Sequence, residues 1–370
     1  MYAWIKYGFV MSFLARQVFS VEYAAAQAKM ETLDPAGYVN KYDTNFNGIG
    51  PKVYVLPAPR TREELLIDSY NEKTAFQDSI DRALDFQQLL EDFKSTSNLG
   101  HIQYLLSPTP ETPLAWNNLV EQEILRGNYS AAYGLLHAYA ANSLRAGAIH
   151  QTIGLLQSAL QQAQKTPNTM DVATIQYNLG NVYLFDKNIQ EAGFFQESYY
   201  KHALKQQQTV EQANALVKIA LVQAYDKDYR SAENNIIRKA IPLLNKVKAY
   251  EHKINAWQTL AKIYQLQNKH TEAQWFLIQA RDLAKAKNYP NSRAEIEYML
   301  AFSKFIQKNY TVAQKEFLQA DALAKTEDNK LLQLAIVDKL GQIYMSQHEL
   351  NKAEDALKSY DDLRQELFKD

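Results

Sequence analysis

Asp43, Asn45, Asn47 and Gly48 open like a calcium loop, with oxygen-bearing side chains at every second position and a glycine where the chain must turn sharply. The twelfth position, which must supply a bidentate glutamate, is Tyr54, and no helical pattern precedes the segment. It therefore reads as an ordinary turn. The histidines, at 101, 137, 150, 202, 252, 270 and 348, never pair four apart around an acidic helper, so zinc hydrolysis has no ligand set here. No lysine-bearing phosphate loop, dinucleotide glycine fingerprint or serine nucleophile elbow occurs. With no cysteine, disulfides, thiol chemistry and thiolate-bound metals are excluded. Carboxylates are plentiful, but any pair of them could be named acid and base, so they carry no signal. The expectation is a non-enzyme with no metal and no cofactor.

The chain has 370 residues, 46% hydrophobic and 22% charged, enough apolar content to build a core. A net charge of −1 gives nucleic acid or an anionic membrane no electrostatic handle. At the start, Lys6 precedes an apolar run from Tyr7 to Ala15, and Ala26-Gln27-Ala28 has the small-x-small form of a cleavage site. Residues 1–28 are read as a signal peptide, or else as an amphipathic N-terminal helix, since Arg16 and Glu22 are out of place in the former. Export to the periplasm or cell envelope follows from the first reading, the cytoplasm from the second. No later run is long and apolar enough to span a bilayer.

Prolines and glycines crowd residues 29–60, which read as an irregular linker with one short strand at Val53-Tyr54-Val55. From 61 to 110 the pattern is helical: Leu66, Tyr70, Phe76, Ile80, Ala83, Leu84, Gln87 and Leu90 share one face. The prolines between Ser107 and Pro113 mark a boundary, and from 114 to 370 helices alternate with short polar turns. Small residues recur at Ala132, Ala192, Ala232, Ala273, Ala313 and Ala353, the last four intervals being 40, 41, 40 and 40. Asn128, Asn188, Asp228 and Asn309, four places before their small residue, are expected N-caps. The pairs Leu119-Val120, Leu179-Gly180, Ile219-Ala220, Leu260-Ala261, Leu300-Ala301 and Leu340-Gly341 lie in the helix before. Small residues at both places let two antiparallel helices approach closely, and such pairs bury their apolar faces only by stacking on neighbours. The first interval, 60 residues, leaves residues 148–165 as either a degenerate repeat or one inserted helix.

The run Trp257, Leu260, Ala261, Tyr264, Ala273 and Ala280 resembles the tetratricopeptide (TPR) repeat, as do Leu179, Gly180, Tyr183 and Ala192, and Leu340, Gly341, Tyr344 and Ala353. The period of 40 rather than 34 is similar to kinesin light chains and Rap-type peptide-sensing regulators. The resemblance implies an all-α, right-handed superhelical solenoid of antiparallel helix pairs with a helical N-terminal extension, the first helix of each pair lining a concave face. Counted from the TPR positions, Tyr177, Asn181, Asn214, Tyr225, Asn255, Lys262, Tyr298 and Phe302 should face that groove. Asparagines offer donor and acceptor to an extended backbone, and aromatic rings add contact area. Lys262 and Asn181 alone do not reconstitute the carboxylate clamp of the chaperone-tail variant. The implied role is a scaffold or adaptor for a protein or peptide segment. A Rap-like regulator and a structural part of an envelope assembly are the alternatives.

Overall fold

The computed structural model describes residues 60–368 apart from 75, 290 and 291. The expected signal peptide, most of the linker, its short strand and the calcium-like turn lie outside these residues.

Every regular element among the described residues is helical. An N-terminal arm comprises α1 (Arg62–Thr74), α2 (Gln77–Asp92), the single turn α3 (Leu99–Ile102) and a 3₁₀ turn (Gln103–Leu106). After α4 (Pro113–Leu125) come six antiparallel pairs. These are α5 (Tyr129–Arg145) with α6 (Ile149–Ala163), α7 (Thr169–Phe185) with α8 (Ile189–Lys205), and α9 (Thr209–Tyr225) with α10 (Tyr229–Asn234) continuing into α11 (Ile241–Val247). The remaining pairs are α12 (Tyr250–Leu266) with α13 (His270–Lys287), α14 (Arg293–Ile306) with α15 (Tyr310–Thr326), and α16 (Lys330–Ser346) with α17 (Leu350–Leu367). Each pair packs on the next, giving the all-α solenoid the repeats predict.

The pairing corrects the first repeat. Ala132 lies in α5, which is the first helix of a pair, not the second. The true seam residues there are Ala140 and Thr152, each 40 before its counterpart, Gly180 and Ala192. Residues 148–165 are thus the second half of a degenerate repeat, and α4 is a lone half-repeat stacked in front, with Trp116 lying flat on Tyr139 at 4.9 Å. Thr152, Ala192, Ala232, Ala273, Ala313 and Ala353 are all fully buried, as close helix approach demands.

One interval is 41 residues because the second helix of the third pair contains a π-helical turn, Asn235–Ala240, between α10 and α11. Pro242 opens α11 without an N–H to donate, and the wide turn absorbs one extra residue so that the stacking register resumes. The turns repeat as closely as the helices. Except between α6 and α7, each contains one residue in left-handed backbone conformation, from Gly127 and Gly147 through Lys187, Gln207 and Lys227 to His348. Asn128, Asn188 and Asp228 cap α5, α8 and α10 as expected, and Asn168 and Asn329 cap α7 and α16. Asn309 makes no side-chain cap bond to α15.

Candidate functional site

The apolar face of the arm must be buried somewhere, and the repeats supply the place. The arm runs along the first helices of the pairs in reverse order, from the last repeat to the first. In α1, Arg62 pairs with Glu354, and the Tyr70 hydroxyl donates to the Ala353 carbonyl at 2.7 Å. Lys73 lies 2.8 Å from the Asp338 carboxylate of α16, which also holds Lys339 at 3.1 Å; all three side chains are buried. Burial pulls the Lys73 pKa down, opposed by Asp338. At Asp338 the two ammonium groups outweigh burial and hold the carboxyl below its usual range.

Along α2, Asp85 pairs with Lys262 of α12 at 2.8 Å and Asp92 with Lys218 of α9 at 2.5 Å. Phe86 meets Phe185 of α7, ring centres 5.6 Å apart. Beyond α2, the Lys94 backbone exchanges hydrogen bonds with the Asn178 amide at 2.9 and 2.7 Å, and its ammonium binds Glu211 and the Tyr199 hydroxyl. Ser97 donates from its N–H and hydroxyl to Asp171 at 2.7 and 2.9 Å. The fully buried Asp171 also accepts from Tyr133 at 2.6 Å and from Asn168 at 2.9 Å, so both its oxygens are hydrogen-bonded. Buried beside this junction, His137 is pulled down to about 4, chiefly by desolvation, with Asp171 and the Lys94 backbone opposing; its Nε2 faces the Asn178 amide at 2.9 Å.

The arm divides the eight residues expected in an open groove. Tyr177 and Asn181 are a correction, since both are buried. Tyr177 packs on Tyr199, ring centres 4.9 Å apart, with Lys94 over its face at 4.5 Å. Asn181 accepts from Gln196 at 2.8 Å, and Gln196 fills the space that a side chain at Gly180 would need. Asn214 is half-buried and, with Lys94 and Tyr199, helps to lower the Glu211 pKa against burial. Tyr225, under the Lys187 ammonium at 4.6 Å, borders a small cavity of about 70 Å³ together with Asn181 and Lys262. Asn255 is exposed and borders neither this cavity nor the larger cleft described next.

Lys262, Tyr298 and Phe302 do come together. They line a cleft of about 440 Å³ where α2 stands away from α12, α14 and the start of α16. Tyr298 and Phe302 lie near-parallel with ring centres 6.3 Å apart, and Leu84, Leu266, Met299 and Leu332 extend the apolar wall. Five carboxylates rim it, Asp81, Asp85, Glu91, Glu295 and Glu327, against one ammonium, Lys262. Asp85 is taken up by Lys262, and the other four make no ion pair among the described residues. Their pKa values are raised, in each case mainly by desolvation, although Asp81, Glu91 and Glu295 remain open to the cleft. Like charge adds to this: Glu91 and Asp92 act on Glu295, and Glu295 acts on Glu327. Burial alone would lower the Lys262 pKa, but Asp85, Tyr225 and Glu295 raise it.

The acidic wall on α2 is what a search of the repeats alone overlooks. A signal for it was present: the single-faced apolar series Leu66 to Leu90 needs a docking surface, and Asp81, Asp85 and Asp92 fall on helical spacing beside it.

No family model matches the chain, and no curated protein matches it. Among solved structures, the chain is similar to the apo form of RapI, at 12% identity and TM-score 0.47, over 64% of this chain and 99% of that one. It is also similar to a Rap protein complexed with competence and sporulation factor, at 10% identity and TM-score 0.49, over 82% and 99%. TPR-like repeats of a Podosopora anserina putative kinesin light chain align at 17% identity and TM-score 0.34, over 62% and 93%. Likeness this distant carries no functional argument, and the architecture rests on the chain's own 40-residue pairs and small-residue seams. On that geometry the chain is a TPR-like helical-repeat solenoid.

Proposed function

We propose that the protein is a non-catalytic scaffold that binds a protein or peptide segment in the cleft between α2 and the helices α12, α14 and α16. The observation that carries this reading is the cleft itself. At about 440 Å³ it has the size of a ligand site, with paired aromatic rings on one wall and polar groups on its rim. The groove is not open along its length: the arm occupies it, and the unfilled stretch lies over the fourth to sixth repeats. Photo-crosslinking from an unnatural residue at Leu266, on the cleft, compared with one at the exposed Leu204 of α8, tests the reading in cells. A discrete adduct from position 266 and none from 204 is expected. Adducts from 204 alone would place recognition on the outer surface.

A second reading, a Rap-like regulator that responds to a peptide, is favoured by the contact of one arm with both ends of the solenoid. It predicts that occupancy of the cleft alters hydrogen exchange in α1 as well as at the cleft. Export belongs to the same proposal through Ala26-Gln27-Ala28, and N-terminal sequencing of the mature chain should then begin at Lys29. Recovery of the chain from Met1 assigns it to the other compartment.

A further inference from the structure

Building on that reading, we infer that the cleft selects a cationic segment: a short stretch of a partner protein carrying lysine or arginine beside an apolar residue. Four carboxylates without an ionic partner border one cavity, on two opposed walls. Asp81 and Glu91 come from α2, Glu295 from α14, and Glu327 from the turn after α15. Two cations in the neighbourhood are already engaged. Lys262 is held by Asp85, and Lys339 is buried against Asp338. Arg293 acts electrostatically on Glu327 without forming an ion pair with it.

A metal ion is a poor match, since no group of three or more acidic or histidine side chains converges on one point among the described residues. A dispersed rim of negative charge around an aromatic and aliphatic floor suits an extended cation instead. An ammonium or guanidinium group reaches the rim, its methylene stem lies on Leu84, Met299 and Leu332, and the faces of Tyr298 and Phe302 add cation–π attraction. An acidic or phosphorylated segment would be repelled by the same rim, so the charge also discriminates.

The test uses the full chain and a random heptapeptide display library. Selected peptides should be enriched in lysine and arginine. A synthetic copy of the best one should bind at least tenfold more weakly when its lysines are acetylated and its arginines replaced by citrulline. It should also bind at least tenfold more weakly to the Glu91→Gln/Glu295→Gln variant, with affinity falling as salt rises. Both substituted side chains are exposed, so folding should be unaffected, and circular dichroism checks this. Neutral or acidic peptides whose binding is abolished by Phe302→Ala would overturn the cationic assignment while leaving the cleft as the site. Peptides indifferent to Phe302→Ala, or no enrichment at all, would overturn both. Displacement of the selected peptide by spermidine at lower concentration than its own Kd would replace the peptide by a free polyamine as the occupant.

Discussion

At the scale of single residues, His137 controls how the arm's end responds to acid. Its folded pKa of about 4 lies below the ordinary value of 6.5, because the charged form loses its hydration. The unfolded chain therefore binds a proton that the folded chain refuses. His137 contributes no penalty above pH 6.5, and stability falls as pH drops from there to about 4, by about 1.4 kcal/mol per pH unit. Urea titrations at pH 7 and pH 5 should show this loss in the wild type and a smaller one in His137→Gln, which keeps a polar side chain facing Asn178. An equal loss in both proteins would assign the acid sensitivity to other groups. Asp338 runs in the same direction: its carboxyl is depressed, so its contribution is present above the usual carboxylate pKa and disappears as pH falls through the depressed value.

At the scale of elements, a glycine shows what repeat periodicity reveals and what it hides. Gly341 occupies the small-residue position of the sixth repeat, and from sequence its size suits the seam between the two helices of that pair. The structure places Tyr70 of the arm there instead: a Cβ at 341 would lie 2.8 Å from the Tyr70 ring. Gly180, at the equivalent position, does face its own pair, through Gln196 of α8. Gly341→Ala should therefore weaken arm docking, costing on the order of 1–3 kcal/mol. Hydrogen exchange should rise in residues 62–74 while α16 and α17 stay protected. The cost should shrink in a Tyr70→Ala background, because the two changes share one contact. Exchange rising in α17 instead would restore the seam reading. The pairs themselves were legible because small seam residues at 40-residue spacing arise from helix geometry alone. The first pair was hidden because Thr152 and Tyr139 stand where Ala or Leu was sought. Tyr177 was misplaced because Lys94 of the arm covers its ring from far along the chain, and Asn181 because it turns to Gln196 of its own pair. Periodicity carries no information on such contacts. Lys262, Tyr298 and Phe302 were found because the inward positions of α12 and α14 border the stretch where the arm stands clear.

At the scale of the whole molecule, the arm changes how the array unfolds. A solenoid whose repeats touch only their neighbours can fray or melt in parts. Here one segment bonds to Asp338, Lys262, Lys218 and Asp171 in turn, so four repeats share a set of contacts. Unfolding in guanidinium should be a single transition, with helix content and tryptophan emission coinciding. Asp85→Ala combined with Asp92→Ala, which removes the two central ion pairs, should pull the two signals apart. Separated transitions in the wild type would show that the repeats already act independently. The arm has a geometric consequence too. The pitch of a solenoid is the sum of small rotations between successive pairs, and each rotation is individually soft. An arm pinned near the sixth pair by Tyr70, near the first by Asn98 and near the second by Ser97 and Lys94 is a chord across that arc. A chord of fixed length constrains the sum while leaving its terms free. Prising the fourth and fifth pairs apart must then tighten the bend elsewhere or release one end of the chord.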